Sequence, residues 1–289
     1  MKILVTGGNG YLGTRVVYKL IEEGNNVSLL IKNGSSTEMF ENLQNIQIYS
    51  TSKNDIEKAF EKGVDIVLHM ATLYGRNGET IEEIVQANVL FPMQILQCAI
   101  KHKTKYFFNT DTALQKLINE YTVTKRQFKE WGIYAGEQEK IRFVNMKLEH
   151  FYGPFDSDIK FIGNMLKQFR NNVSHIKTTK GEQERAFIYI DDLIEAILCI
   201  VKYESKKEKF EFVEYEIGPD YNIKIKDVLN TMKKLTNSTS EIDFGAIPYR
   251  KNEEMKSNCN NSKLKSIGWK QKVLIFEEGI KKILEEEKK

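Results

Sequence analysis

Residues 1–13 read MKILVTGGNGYLG. The apolar run Lys2–Val5 has the make-up of a buried strand, and the pattern over Gly13–Glu23 is that of an amphipathic helix. Between them, glycines at 7, 10 and 13 form G-x-x-G-x-x-G. Each has a different use: Gly7 permits a tight turn, Gly10 lets a pyrophosphate approach the backbone, and Gly13 lets the helix pack on the strand. The helix N-terminus then faces the phosphates. A glycine triplet also makes ordinary turns, but the strand–loop–helix setting points to dinucleotide binding by Gly7, Gly10, Tyr11, Leu12 and Gly13.

Working outward, apolar strands are predicted at Val27–Ile31, Ile46–Tyr49, Ile66–His69, Tyr106–Asn109 and Phe143–Leu148, with a seventh at Val213–Ile217. Helical patterns at Asp55–Lys62, Ile81–Lys101, Glu120–Glu137 and Asp191–Lys202 fall between them. Near-continuous apolar strands alternating with helices imply a parallel sheet covered on both faces. The fold expected is α/β, a Rossmann-type doubly wound parallel sheet with a smaller C-terminal α/β substrate lobe. The regularity loosens near Gly153-Pro154, and IKFIGNMLKQFRNN, IKIKDVLNTMKKLT and LIFEEGIKKILEEE read as helices of the second lobe. The expected division is a dinucleotide-binding domain of 1–153 plus about 185–218, and a substrate lobe of about 154–184 plus 219–289. Asp191 or Asp192 reads as a helix N-cap.

The 43 basic and 40 acidic residues of the 289 nearly cancel, to +3, with no stripe of like charge, so nucleic acid is not an expected partner. The three cysteines have no metal-type spacing; Cys98 and Cys199 sit in apolar helical patterns as small hydrophobes, and no metal site is expected. No signal peptide precedes the first strand and no apolar run is long enough to span a bilayer, which makes a cytoplasmic protein the expectation.

A free adenosine 2′-hydroxyl is usually held by an acidic residue closing strand two. Here no carboxylate follows until Glu38, whereas Lys32 with the Ser35 and Ser36 hydroxyls suits a 2′-phosphate. NADP(H) is therefore preferred, with NAD(H) the alternative; a solvated lysine in a polar loop is the plainer explanation of Lys32.

The stretch Phe107–Lys125, FFNTDTALQKLINEYTVTK, ends a strand on Thr110-Asp111-Thr112 and places Tyr121 four residues before Lys125. A phenol and an ammonium at that spacing share a helix face, and a strand-end hydroxyl meeting them makes a site for proton transfer at a carbonyl or alcohol. A tyrosine near its ordinary pKa of about 10 relays protons poorly at neutral pH, so Lys125 is expected to lower it. Without these neighbours, Tyr121 would read as a half-buried aromatic on an amphipathic helix.

With TGGNGYLG, HMATLYG, Asn88, YTVTK, LEHFYGP (148–154), GEQERAFIYIDD (181–192) and FGAIPYR (244–250), the chain resembles the extended short-chain dehydrogenase/reductases. More narrowly it is similar to the NAD-dependent epimerase/dehydratase group acting on nucleotide sugars, and within it to 4-ketoreductases of the CDP-abequose/CDP-paratose synthase type. The resemblance implies that Thr110 bonds the sugar C4 oxygen, Tyr121 is the acid/base and Lys125 holds the nicotinamide ribose. It also implies cofactor contacts from Ala71 and Asn88, and substrate contacts from Asp111, Thr112, His150, Arg185 and Arg250; packing beside the sheet is the alternative for His150. Dehydratases of the group carry an acidic pair after the catalytic Thr. Here Asp111 is followed by Thr112, which cannot serve as a carboxylate base. Two further departures are Ala186, where the family shows Asp after the arginine, and Thr51, where the group has an adenine-binding Asp.

The function so implied is NAD(P)H-dependent reduction of a nucleotide-diphosphate 4-keto-6-deoxy sugar at C4, or the reverse 4-dehydrogenation, in deoxysugar biosynthesis for cell-surface polysaccharide. The alternative is a nucleotide-sugar 4-epimerase with tightly held NAD, and a third is a non-catalytic dinucleotide-binding sensor. The family expectation is a homodimer through the 81–101 and 120–137 helices.

Overall fold

The structure, a computed structural model, describes residues 1–44 and 46–288. In chain order its elements are β1 (Lys2–Thr6), α1 (Tyr11–Glu22), β2 (Asn26–Ile31), β3 (Ile46–Ser50), α2 (Lys53–Glu61), β4 (Ile66–His69), α3 (Ile81–Val85), α4 (Phe91–Lys101), β5 (Tyr106–Thr112), α5 (Glu120–Glu137), β6 (Arg142–Leu148) and β7 (His150–Tyr152). There follow α6 (Phe161–Arg170), β8 (His175–Thr178), β9 (Glu184–Arg185), β10 (Phe187–Tyr189), α7 (Ile190–Glu204), β11 (Phe212–Ile217), β12 (Ile223–Lys224), α8 (Ile225–Leu235), β13 (Glu241–Phe244), α9 (Ser262–Ser266) and α10 (Phe276–Glu286). They form two compact units, 1–147 with 197–215 and 148–196 with 216–289. The first division falls ahead of the expected Gly153-Pro154, and 185–196 groups with the second unit rather than with the sheet.

The first unit is built on the expected parallel sheet. Among the described residues it has seven strands in the order β11-β6-β5-β4-β1-β2-β3. The order reverses direction between β1 and β4, which pair in register Thr6↔His69. In doubly wound sheets such a switch point leaves a crevice at the carboxyl ends of the strands, where ligands bind. The glycine turn after β1 and the segment after β4 both leave the sheet there.

Helix α5 covers the sheet closely because it carries glycine where it crosses. A Cβ at Gly132 would lie 2.3 Å from Phe143 Cε1, and one at Gly136 would lie 2.4 Å from the backbone nitrogen of Phe212. Beneath it Phe107 and Phe143 are buried with their rings stacked at 5.1 Å, and Phe128 of α5 packs edge-on against Phe143 at 5.8 Å. Asn119 starts the helix through a capping box, its Oδ1 accepting from Thr122 N at 3.0 Å. These contacts fix the axial position of everything α5 presents.

The helix expected over 81–101 is interrupted by a π-turn at Gln86–Leu90. Pro92 is the physical reason, since its ring collides with the carbonyl four residues back, that of Asn88, in a regular helix. Widening the turn relieves the collision.

In the second unit β7 pairs with β10 in parallel, β9 with β12 antiparallel, and β8 with β13 in parallel. Pairing of Ile223 and Lys224 with β9 delays the helix expected from there, so α8 starts at Ile225. Tyr152, Phe187, Tyr189 and Phe276 pack together as the aromatic core. Asp192 is not an N-cap: it lies in the first turn of α7, and its carboxylate accepts from the backbone nitrogens of Lys272 (2.8 Å) and Val273 (2.9 Å). Among the described residues no helix is long and apolar enough to cross a membrane.

The close crossing of α5 is open to a direct check. Gly136→Ala drives a methyl into backbone that cannot rotate aside, and is expected to cost about 3 kcal/mol of unfolding free energy in a urea titration. Unchanged stability would show that the helix does not sit that close.

Candidate active site

The glycine turn is held together from within. Gly7 adopts φ +70°, and a Cβ there would come 2.6 Å from Ala71 N, so the turn packs directly on the segment leaving β4. A Cβ on Gly13 would meet the Gly7 carbonyl oxygen at 2.0 Å. Gly10 differs: its only neighbour within reach is that same oxygen, at 3.4 Å, so one side of it is open. Gly10 precedes the first turn of α1, where Tyr11, Leu12 and Gly13 present backbone N–H groups that have no acceptor within the helix. The Arg15 guanidinium lies 4.0 Å over the Tyr11 ring and donates to the Tyr11 carbonyl at 3.0 Å.

Across the switch point, Thr6 Oγ1 lies 2.7 Å from His69 Nδ1 and accepts from Ala71 N at 3.3 Å. His69 is buried among Phe91, Phe107 and Phe128. Burial, reinforced by the Lys125 charge, holds its pKa well below the usual range, so it is a neutral structural imidazole. Asn88, on the π-turn, has both amide ends occupied. Its Oδ1 accepts from Leu73 N (2.8 Å) and Thr72 Oγ1 (3.2 Å), and its Nδ2 donates to Leu73 O (2.8 Å) and Thr124 Oγ1 (3.1 Å). An amide has no further donor hydrogens, so Asn88 ties the 72–73 segment to α5. At the end of β2, Lys32 is exposed and its side chain has no ion-pair partner among the described residues. Its carbonyl accepts from Ser35 N at 3.1 Å, closing a turn through Gly34 at φ +81°.

Thr110, Asp111, Thr112, Tyr121 and Lys125 come together at the carboxyl end of β5 and the start of α5, and all but the half-buried Thr112 are buried. The Thr110 hydroxyl donates to the His69 carbonyl at 3.2 Å. The Asp111 carboxylate accepts from Thr112 N at 2.8 Å and Asn145 Nδ2 at 2.9 Å. The Tyr121 ring packs on Tyr74 at 4.9 Å, and Tyr74 in turn lies under the Arg76 guanidinium at 5.2 Å.

The electrostatics differ from expectation at one point. Tyr121 has a pKa well above its ordinary value, chiefly through burial, with Tyr74 and the Asp111 charge adding to it; hydrogen bonding by Thr112 and the charge of Arg76 oppose the rise. Lys125 is not among these strongest influences. Its own ammonium is pulled down to about 8 by burial, which the Asp111 carboxylate only partly offsets. Lys125 is 3 % exposed and has no hydrogen bond or ion pair among the described residues. A cation buried this deeply without a partner is costly. Its position is explained if a polar group from outside the chain completes it. The hydroxyls of a dinucleotide ribose fit there, as the pyrophosphate fits the open face of Gly10 and the first amides of α1.

The remaining sites expected from sequence lie in the second unit. His150 packs against Phe187, with ring centroids 5.7 Å apart, and its Nδ1 is 3.7 Å from Glu149 Oε2. Arg185 is neutralised internally by Glu253 at 2.5 Å. Arg250 is exposed. Tyr74, Arg76, Asn145, Glu214 and Lys129 escaped the sequence reading. Lys129 alone carried a signal, repeating the four-residue spacing of Tyr121 and Lys125.

A glycine turn at the switch point of a parallel sheet, joined to a buried Tyr–Lys pair, defines a dinucleotide-dependent enzyme of the short-chain dehydrogenase/reductase kind. The chain belongs to the NAD dependent epimerase/dehydratase family, whose model matches residues 3–223. It is 35 % identical to the CDP-abequose synthase of Salmonella typhimurium, over 98 % of this chain and 97 % of that protein. It is 25 % identical to the human dTDP-D-glucose 4,6-dehydratase, over 98 % and 89 %. In fold it is similar to the UDP-glucose 4-epimerase of Thermotoga maritima, with TM-score 0.84, 23 % identity and coverage of 100 % and 99 %.

The strain at Lys125 has a measurable sign. Its folded pKa of about 8 lies below the ordinary lysine value of 10.5, so below about pH 8 its charge costs the fold on the order of 3 kcal/mol. As pH rises from about 8 towards 10.5 that cost disappears, because the folded state has already released its proton. Lys125→Met is therefore expected to stabilise the protein at pH 7 by roughly 2–3 kcal/mol, with the gain vanishing near pH 10.5. Urea unfolding across pH checks this; a destabilised Met variant at pH 7 would mean that the ammonium has a partner.

Proposed function

We propose that this enzyme reduces a nucleotide-diphosphate 4-keto-6-deoxy sugar at C4, with CDP as the nucleotide and NADP(H) as the preferred cofactor. The observation that carries the proposal is the buried Tyr121 phenol, held protonated beside the unpartnered Lys125 ammonium. A phenol with a raised pKa enters the reaction as a proton donor, which suits reduction; the reverse 4-dehydrogenation needs it ionised. Support for the sugar comes from the CDP-abequose synthases of Salmonella typhimurium and Salmonella muenchen, 35 % and 36 % identical along nearly the whole chain. Support for NADPH comes from exposed Lys32 beside Ser35, with no carboxylate closing β2.

In this reading Gly10, Tyr11, Leu12 and Gly13 hold the pyrophosphate, Lys125 the nicotinamide ribose, and Lys32 and Ser35 the 2′-phosphate, with Gly7 and Ala71 shaping the floor. The bound cofactor supplies hydride to C4. Tyr121 gives its proton to the C4 oxygen, so that the ketone becomes a secondary alcohol. Thr110 turns from the His69 carbonyl to steady that oxygen, and the Lys125 charge stabilises the phenolate left behind. Asp111 has no carboxylate neighbour at 112 to take a sugar proton, which disfavours dehydration. The first unit serves as the dinucleotide-binding domain. The second is the substrate lobe, offering His150 and Arg250, and Arg185 if it parts from Glu253. We further infer a cytoplasmic homodimer serving deoxysugar synthesis for cell-surface polysaccharide.

A panel of CDP-, dTDP- and GDP-linked 4-keto-6-deoxy sugars with NADPH and NADH tests the proposal. NADPH consumption with the CDP substrate is expected, and Tyr121→Phe should lower kcat about 100-fold or more while retaining dinucleotide binding. In the wild type, kcat/KM for reduction should fall as pH rises through about 8, where Lys125 loses its charge. Tyr121 stays protonated throughout that range. Protein that purifies with bound NAD and interconverts a sugar without net NADPH loss would make it an epimerase instead.

A further inference from the structure

Asn145 stands on β6 between Val144 and Met146, wholly buried. Asparagine is disfavoured in a strand, and burying an amide is unfavourable unless it is fully bonded. Here it is. Nδ2 donates to Asp111 Oδ2 at 2.9 Å and to Glu214 Oε2 at 2.8 Å, and Oδ1 accepts from Asn109 Nδ2 at 2.7 Å. The amide orientation follows from chemistry, because ionised carboxylates only accept. One group thus separates two carboxylates, giving each its own hydrogen. Glu214 is anchored independently by an ion pair with Lys129, a residue one helical turn beyond Lys125. The arrangement has a cost: Asn109, turned so that its Nδ2 reaches Asn145, leaves its own Oδ1 buried without a partner. A buried acceptor left unsatisfied calls for a compensating role.

We propose that Asn145 is a positioning residue of the Tyr121–Lys125 site, its amide pinning the Asp111 carboxylate beside that pair and keeping it apart from the Glu214–Lys129 ion pair. Asp111 is held at both oxygens, by Thr112 N and by Asn145. Its charge reaches both site groups, favouring the ammonium of Lys125 and disfavouring the phenolate of Tyr121. The other groups facing Lys125 and Tyr121 are His69 on β4, which is neutral, and Tyr74, Arg76 and Thr112. Glu214 is pushed up by burial, but Lys129, Asn145 and Lys147 outweigh this and keep it below the usual carboxylate range. Without the amide donor, Asp111 keeps one anchor of two and Lys125 loses a fixed counter-charge.

The test is the titration of Lys125 in the full-length enzyme, followed by the 13Cε shift of labelled lysine and assigned with Lys125→Met. The wild-type midpoint is expected near 8. In Asn145→Leu it should fall by roughly one pH unit. In an Asp111→Asn background, Asn145→Leu should add no further shift, since both changes act through one carboxylate. Asn145→Ser, which opens space rather than filling it, should shift the midpoint the same way and covers the case of a Leu variant that does not fold. An unmoved midpoint in either folded Asn145 variant, with only unfolding free energy lowered, overturns the proposal and leaves Asn145 a packing residue. The kinetic counterpart rests on the reductase reading: the high-pH arm of kcat/KM should move down with the midpoint. If the wild type reduces none of the sugars while the midpoint still moves, the reductase reading fails and the positioning role stands.

Discussion

A single desolvated cation organises the first unit. Lys125 of α5 is buried with no partner among the described residues, on a helix that crosses close over the sheet. Glycines at 132 and 136 make the crossing possible, and the stacked Phe107 and Phe143 rings give Phe128 of α5 a floor. Hydrophobic burial on one side of α5 thus offsets the unfavourable burial of charge near its N-terminal end. Functional sites commonly hold strain of this kind, with the rest of the fold supplying the stability.

Around the cation, the polar groups fall into two sets with different tasks. Asn88, Thr6 and His69 bond the segment leaving β4 and so shape the crevice. Asp111, bonded to Asn145, supplies the negative charge felt by Lys125 and Tyr121. Between the sets, Tyr121 is kept from ionising mainly by burial rather than being made acidic by its lysine neighbour. This matches a proton donor to a carbonyl oxygen better than a base that must first lose its proton.

Much of this was legible in the chain, because the signals were local. Strand runs, the glycine triplet and the Tyr121–Lys125 spacing depend on periods of two and about four residues; the sheet follows them closely and α5 spans Glu120–Glu137 as its pattern predicts. What was not legible depended on partners distant in sequence. Arg185 meets Glu253 and Asp192 meets Lys272 and Val273, so an arginine expected to touch substrate is internally paired, and an aspartate that reads as a cap is a tether. Asn145 stands in an apolar strand, and only its bonds to Asp111 and Glu214, distant in sequence, give it a reason. The break in the 81–101 helix was encoded by Pro92, four residues after Asn88 in the widened turn.

The chemistry proposed for Tyr121 and Lys125 comes down to where one hydrogen goes. NADPH deuterated at C4 of the nicotinamide, prepared separately as each stereoisomer, can be supplied with a CDP-linked 4-keto-6-deoxy sugar and the product examined by NMR. One isomer should deliver a single deuterium to sugar C4 for each NADPH oxidised, with the hydroxyl proton drawn from solvent through Tyr121. A turned-over sugar carrying no deuterium at C4 with either isomer would contradict a C4 reductase.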